Sequence, residues 1–484
     1  MNYIKSRHII YIAIALLGAS FLGYFSQAVQ IGSFVFFTLI CLILGLWKRE
    51  FALYLVFLEL ALGSFGYLLS LHIGGLNLSL RYAFFAIVMG LWVYDQLKAA
   101  VIPAKAGIQT FFSGSRIKCG MTEGTYGMTI GLAIFLIIWV FGIIQGYLRG
   151  YNPADIFFDA NSYIYLLLFL PALKYINTKD KLNDLLKAIL IGAAAGALLT
   201  FILFIIFTRV ESAGFLETLY KWIRDFRIGE ITPLKGGAYR IFLQSQIYII
   251  VGLFLAGAGY FFKKINFAKF LFLTALFSGA IYLSLSRSFW IGTLVGLLTI
   301  FLSLLYLKTD NKKILSFGIT FAASAIVGIM IAGILSPQAD ILKNRFQIGR
   351  AANDTRLSEL KVLLPAIKNN FIFGYGFGKT MSFKSFDPRA GEALYTTYAF
   401  EWGYLDMVLK FGLAGLAAYL YFIWTIILAL FKSFKKEPIN ILALSVLAAL
   451  LAVHIFTPYL NHPLGIGILI LAGVAAQIDK NNKE

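Results

Sequence analysis

Cysteine, histidine and charge are all scarce in this chain, and each scarcity removes a class of function. The two cysteines, Cys41 in an apolar stretch and Cys119 in a polar one, supply neither a disulfide framework nor a thiolate metal site, so thiol redox chemistry is excluded. The four histidines, His8, His72, His454 and His462, show no spacing that would hold a metal, and no D-x-D-like acidic cluster accompanies them. No metal and no cofactor is therefore expected. Charged residues make up only 13% of the 484, against 60% hydrophobic, with a mean hydropathy of +0.81 that lies far outside the usage of soluble domains.

What fills the chain instead is apolar runs of roughly 16 to 25 residues, each long enough to cross a hydrocarbon layer of about 30 Å as a helix. Spans are expected at 9–25, 31–47, 51–70, 81–97, 128–147, 160–173, 183–207, 241–262, 267–285, 289–307, 314–335, 403–431, 438–457 and 463–478. The expected fold is all-α, a polytopic transmembrane helical bundle of about fourteen helices. The first run, Ile9 to Phe25, follows Lys5 and Arg7 like a signal peptide but reads as a retained span, since so many further spans make a removable signal unnecessary.

Basic clusters at 48–49, 98–118, 174–181, 263–269, 308–313 and 432–436 fall at every second connection, which the positive-inside rule assigns to the cytoplasm. The chain is thus expected to be a multi-pass protein of the bacterial inner membrane with both termini cytoplasmic. Its sections are N-terminal spans over 1–97, a cytoplasmic insertion over 98–127, central spans over 128–335 with a periplasmic loop at 208–240, a large periplasmic loop over 336–402, and C-terminal spans over 403–484. The insertion is polar, lacks periodicity, resembles a translated dispersed repeat element, and is expected to be mostly disordered and without function.

The formal charge of +19 could point to nucleic acid, but the basic residues are spread over short loops rather than along one stripe, so no nucleic-acid partner is expected. The two basic residue types segregate. With the orientation above, 11 of 14 arginines fall on the outer side and 20 of 28 lysines on the inner. Topology accounts for the lysines. Arginine's planar fork suits bidentate contacts to phosphate and carboxylate, so the outer face reads as an anion site, with snorkelling to lipid headgroups as the plainer alternative. Arg240 and Arg287 stand apart because each abuts the outer end of a long apolar run, and Arg81, Arg345, Arg350 and Arg356 lie on the same side.

Two outer loops should carry interfacial amphipathic helices. Leu216, Leu219, Ile223 and Phe226 form one apolar face; Leu357, Leu360, Leu364 and Ile367 form another, after the N-cap types Asn353, Asp354 and Thr355 and with a kink expected at Pro365. The G-x-G-x-G of Phe373 to Gly378 neither follows a strand nor opens a helix, so it reads as a flexible turn rather than a nucleotide site. Glu59, deep in a span, is a functional candidate or the partner of a neighbouring helix. Glu401, beside Tyr398 and Trp402 at the start of the twelfth span, could serve as a general base if partly buried, or be an ordinary helix N-terminal acid.

Three stretches resemble the O-antigen ligase and O-antigen polymerase superfamily of membrane glycosyltransferases: Tyr239-Arg240-Ile241-Phe242, Ser284-Leu285-Ser286-Arg287-Ser288, and the 344–415 region with Arg345, Arg356 and Phe373-Gly374-Tyr375-Gly376-Phe377-Gly378. Where that family commonly has His-Asn-x-Tyr-Leu, this chain has Glu401-Trp402-Gly403-Tyr404-Leu405, with Gly412 at the family's offset. Glu401 thus stands at the family's functional histidine. The resemblance implies metal-independent, inverting transfer of an undecaprenyl-pyrophosphate-linked glycan to a lipid or saccharide acceptor, with membrane lipid as the surrounding partner. It makes Glu401, Arg287 and Arg240 the catalytic candidates, and Arg356, Arg350, Arg345, Tyr398 and Arg81 the substrate-binding candidates. The competing reading from another class is a transporter or flippase acting through Glu59.

Overall fold

The computed structural model describes residues 6–73, 76–106, 123–234, 237–335, 341–386, 394–432, 434 and 439–478; at 73, 76, 100–106, 123–125 and 341–352 it describes the backbone alone. Helices α1 (Ser6–Phe25), α2 (Gln27–Trp47), α3 (Arg49–Leu62), α4 (Leu80–Ala106) and α5 (Glu123–Leu148) form the N-terminal part. A broken series follows, α6 (Pro153–Ala160), a 3-10 stretch (Asn161–Leu168) and α7 (Phe169–Tyr175), and then α8 (Lys179–Arg209) and α9 (Ala213–Asp225). The rest comprises α10 (Gln246–Phe261), α11 (Phe267–Leu283), α12 (Arg287–Tyr306), α13 (Asn311–Leu335), α14 (Ile341–Asn369), α15 (Gly403–Lys432), α16 (Ile439–His454) and α17 (Pro463–Ile478).

Each expected span coincides with a helix, or at 153–175 with the helix series, and the fold is an all-α polytopic bundle. Among the described residues eight such segments are long and apolar enough to cross a membrane, while α10, α11, α16 and α17 are apolar but shorter. The core of the bundle is α3, α10 and α17, where nearly every side chain is buried whatever direction it points. Such helices lack a polar face because neighbours surround them.

Successive connections meet at opposite ends of the bundle. At one end the Phe65 amide donates to Arg227 O, the Phe65 ring packs on His462, and Tyr459 Oη donates to Gln244 O. At the other, Arg49 pairs with Asp95, Tyr175 Oη donates to Asp95, and Tyr54 Oη donates to Lys181 O. The first is called here the loop face and the second the lysine face.

The loop face also holds three two-stranded hairpins: β1 (Ser70–Ile73) with β2 (Leu76–Ser79), β3 (Gly229–Pro233) with β4 (Tyr239–Leu243), and β5 (Met381–Lys384) with β6 (Leu394–Thr397). They revise the expected spans 51–70 and 241–262: α3 stops at Leu62, and Tyr239 to Leu243 is a strand ahead of α10. Aromatic and β-branched residues in Tyr-Arg-Ile-Phe-Leu suit a strand, and its partner keeps the backbone bonded before the helix starts. The expected helix at 208–240 is α9, but its apolar face meets protein. Trp222 Nε1 donates to Ser20 Oγ and the Trp222 ring lies 5.1 Å from that of Phe21.

α14 differs from expectation in two ways. It begins at Ile341, so Asn353, Asp354 and Thr355 lie within it rather than capping it; Pro365 falls inside the helix, as expected. Its buried face is Glu359, Leu363 and Ile367, whereas Leu357 and Leu364 are exposed. The face is turned because a carboxylate occupies it, which an apolar pattern cannot register.

The G-x-G-x-G segment is a wedge rather than a flexible turn. Gly374, Gly376 and Gly378 take φ of 68°, 81° and 81°, and Gly412 inside α15 takes 68° with ψ −173°, breaking that helix. Across the break, Tyr375 N donates to Leu409 O, Gly376 N to Lys410 O, Leu413 N to Phe371 O and Ala414 N to Ile372 O, so the loop satisfies groups the interrupted helix leaves open. A Cβ on Gly374 would come within 2.6 Å of the Gly412 and Lys410 backbone. Of the 98–127 insertion, 98–106 continue α4 and 123–127 open α5; the expectation of disorder falls on 107–122, which lie outside the described residues.

Candidate functional site

On the loop face the chain brings together groups far apart in sequence around two turns, 284–288 and 455–462. The first joins α11 to α12 and contains Leu285 at φ 47°, outside the right-handed regions. Ser286 caps α12 without a side-chain cap bond, which leaves the first amides of that helix open among the described residues. Ser286 Oγ lies 3.1 Å from Ser288 Oγ, which lies 3.0 Å from Thr457 Oγ1, so a line of hydroxyls links the two turns.

Arginines surround this line. Arg240, on β4, donates from Nε to Ser284 O at 2.8 Å, approaches Glu230 at 3.6 Å and packs its guanidinium over Phe242. Arg287, the first residue of α12, donates to Asn353 Oδ1 at 2.7 Å and so ties that helix to α14. One helical turn along α14, Arg356 donates from Nε to Glu401 Oε2 at 2.6 Å and from Nη2 to Phe456 O at 3.4 Å. Trp402 completes the contact, its Nε1 donating to Arg356 O while its ring packs on Phe456 at 5.5 Å.

Of the eight residues singled out in the sequence, Arg240, Arg287, Arg356 and Glu401 therefore converge. Arg345 and Arg350 lie on α14 ahead of Asn353, and their side chains fall outside the described residues. Tyr398 lies half-buried ahead of α15, and burial together with the nearby Asp159 and Asp155 carboxylates pushes its phenol up. Arg81 is elsewhere in role: 3% exposed, it donates from Nε and Nη2 to both Glu59 oxygens at 2.8 and 3.0 Å and to Ser64 O at 2.7 Å. That pair makes Arg81 the partner of Glu59 on a neighbouring helix, which is the structural alternative for Glu59.

Two groups of ionisable residues escape the sequence reading. Glu359, 2% exposed on α14, accepts the backbone N–H of Glu401 at 2.9 Å, and its other oxygen has no partner among the described residues. Burial raises its carboxyl to about 7. The second group is Lys410, buried in α15 between Asp406 at 2.8 Å and Asp159, with Asn461 donating to Asp406 and Gly378 N donating to Asp159. It locks α6, the glycine wedge, α15 and the 455–462 turn together. Lys410 lies well inside the span 403–431, and that position alone is a signal that hydropathy averages hide. Glu359 offers only its spacing of three from Arg356.

Two histidines lie close by, His462 within the 455–462 turn, packed on Phe65, and His454 just ahead of it. His454 is fully buried at the end of α16, accepts from Leu460 N through Nδ1 at 3.1 Å, and packs against Tyr404 at 4.7 Å. A Cβ at Gly403 would reach its ring, so glycine there allows α15 to start against it.

Residues 270–420 match the family model described as O-antigen ligase, a stretch that runs from α11 to the middle of α15. It contains Arg287, Arg356, Glu359, Glu401 and Lys410, and leaves Arg81 and Arg240 outside. No curated protein matches the chain. A bundle of apolar helices and an arginine-lined loop face thus accompany a central stretch that is similar to the O-antigen ligase family.

Proposed function

We propose that the protein transfers a glycan from an undecaprenyl-pyrophosphate donor to a saccharide or lipid acceptor, and that the loop face is periplasmic. The observation that carries this reading is the convergence of Arg240, Arg287 and Arg356 on the 284–288 and 455–457 turns, beside the open N-terminal amides of α12. Fixed guanidinium groups and helix-terminal N–H groups stabilise the charge that grows on a departing pyrophosphate.

In this scheme an acceptor hydroxyl attacks the anomeric carbon as the carbon–oxygen bond to the pyrophosphate breaks, with inversion at that carbon. The hydroxyl proton passes to Glu401 and the bonding pair leaves with the lipid pyrophosphate. Glu401 is held by Arg356, and a donor phosphate that draws this guanidinium away frees the carboxylate to receive the proton.

The test is transfer by purified protein in detergent with EDTA, comparing the native chain with Arg287→Ala and Glu401→Gln. Release of undecaprenyl pyrophosphate that both substitutions abolish supports the assignment. Full transfer by Arg287→Ala refutes it.

A further inference from the structure

Glu401 is exposed and lies ahead of α15, where nothing in its own side chain fixes the backbone that carries it. The residue that does so is on another helix. Glu359 Oε1 accepts the Glu401 N–H at 2.9 Å from within a buried layer that includes Leu363, Phe383 and Phe400. The bond has the ordinary length of an N–H···O contact, and it joins α14 to the segment that leads into α15.

We propose that Glu359 is a positioning residue for glycan transfer, holding Glu401 and Arg356 in register through the Glu401 backbone amide. The inference rests on the proposed transferase function for its kinetic consequences, though the positioning itself is a property of the fold. Two features separate this carboxylate from an ordinary core residue. A glutamate is buried where leucine would pack at least as well, and burying a carboxylate oxygen without a partner is costly. Arg356 and Glu359 share α14 one turn apart, so one helix presents the cation to the Glu401 side chain and the acceptor to its backbone.

The charges around Glu359 are few. Arg356 on its own helix, and Glu401 and Asp406 from the start of α15, act on it directly. From β5, Lys384 approaches through its backbone N–H on Ser358 while its ammonium sits over Phe386. Burial is the largest influence and keeps the carboxyl protonated up to near neutrality. A protonated Glu359 still accepts the amide, while ionisation sets a second negative charge beside Glu401.

The test compares full-length Glu359→Leu and Glu359→Gln with the native protein, reading amide hydrogen exchange in peptides spanning Tyr398 to Trp402 together with transfer kinetics. In Glu359→Leu the Glu401 amide should exchange about tenfold faster and kcat should fall about tenfold with the donor KM unchanged. Glu359→Gln, whose amide oxygen can still accept, should keep the protection and flatten the pH profile of kcat. Unchanged exchange in Glu359→Leu overturns the proposal. If that variant fails to fold, a pH profile in Glu359→Gln identical to the native one overturns it as well. Native protein without transferase activity would count against the proposed function, while the exchange measurement would still decide the role of Glu359.

Discussion

Arg356 Nε lies 2.6 Å from Glu401 Oε2, yet the two side chains are 25% and 55% exposed. Pairs that open to solvent contribute between nothing and about 1 kcal/mol. Glu401→Gln should therefore leave thermal unfolding in detergent almost unchanged while lowering transfer by about 100-fold, the smaller end of what a general base supplies. Parallel losses of stability and activity would mean that the glutamate serves the fold.

Arg287 has a protein partner in Asn353, so its loss has two readings, and a control separates them. If Arg287 acts on the donor, Arg287→Ala lowers kcat/KM by about 100-fold and Asn353→Ala changes it little. An Asn353→Ala variant as impaired as Arg287→Ala would show that the arginine is only a strut between α12 and α14.

Glu59 and Arg81 should behave oppositely to the surface pair. Both are buried, and removing one leaves the other charge without compensation, a cost of about 3–5 kcal/mol. Glu59→Gln is expected to depress the folded yield and the unfolding temperature, and Glu59→Leu combined with Arg81→Met to recover much of the loss. A stable Glu59→Gln protein that lost only activity would restore the transporter reading.

The pH dependence of stability follows from Glu359. Its carboxyl is raised from 4.5 to about 7 in the folded protein, so between these values the folded state keeps a proton that the unfolded chain has released. Stability then falls as pH rises through that window and is level on either side, by about 3 kcal/mol in all. The unfolding temperature of Glu359→Gln relative to native should climb from pH 4.5 to 7 and then stop climbing. A constant difference would place Glu359 among ordinary carboxylates.

Gly412→Ala tests the wedge. The residue has positive φ, and a Cβ there would overlap the Ile372 carbonyl. The variant should lose at least about 1–3 kcal/mol and expose the 371–378 segment to proteolysis. A protein as resistant as the native one would mean that α15 tolerates a different break.

Hydropathy is a sum over many residues, which is why the spans were legible in the sequence while some of their ends, such as those of α3 and α4, were not. The hairpins were not, since the apolar Ile241 to Leu243 runs straight into the helix it precedes, and only pairing with Gly229 to Ile231 distinguishes it. At the site, Arg240, Arg287, Arg356 and Glu401 were visible because charge at the edge of an apolar run is conspicuous. Glu359 was hidden by the reverse circumstance: exposed Leu357 and Leu364 mimic the buried face, and the true face includes an acid. Arg81 shows the limit of counting arginines, because its partner Glu59 is 22 residues away in sequence and contiguous only in the fold.

The Asp159–Lys410 contact also constrains how the protein is made. Asp159 leaves the ribosome long before the cation that compensates it, and several helices are synthesised between them. Until the first half of α15 arrives, the hairpin of α5 and α6 carries an acidic group whose ion-pair partner Lys410 has not been made. The pairing of Asp159 therefore waits for the translation of residue 410, after most of the helices have been made. Truncations ending before α15 should be cleared by membrane quality control, although most of the hydrophobic helices are already present.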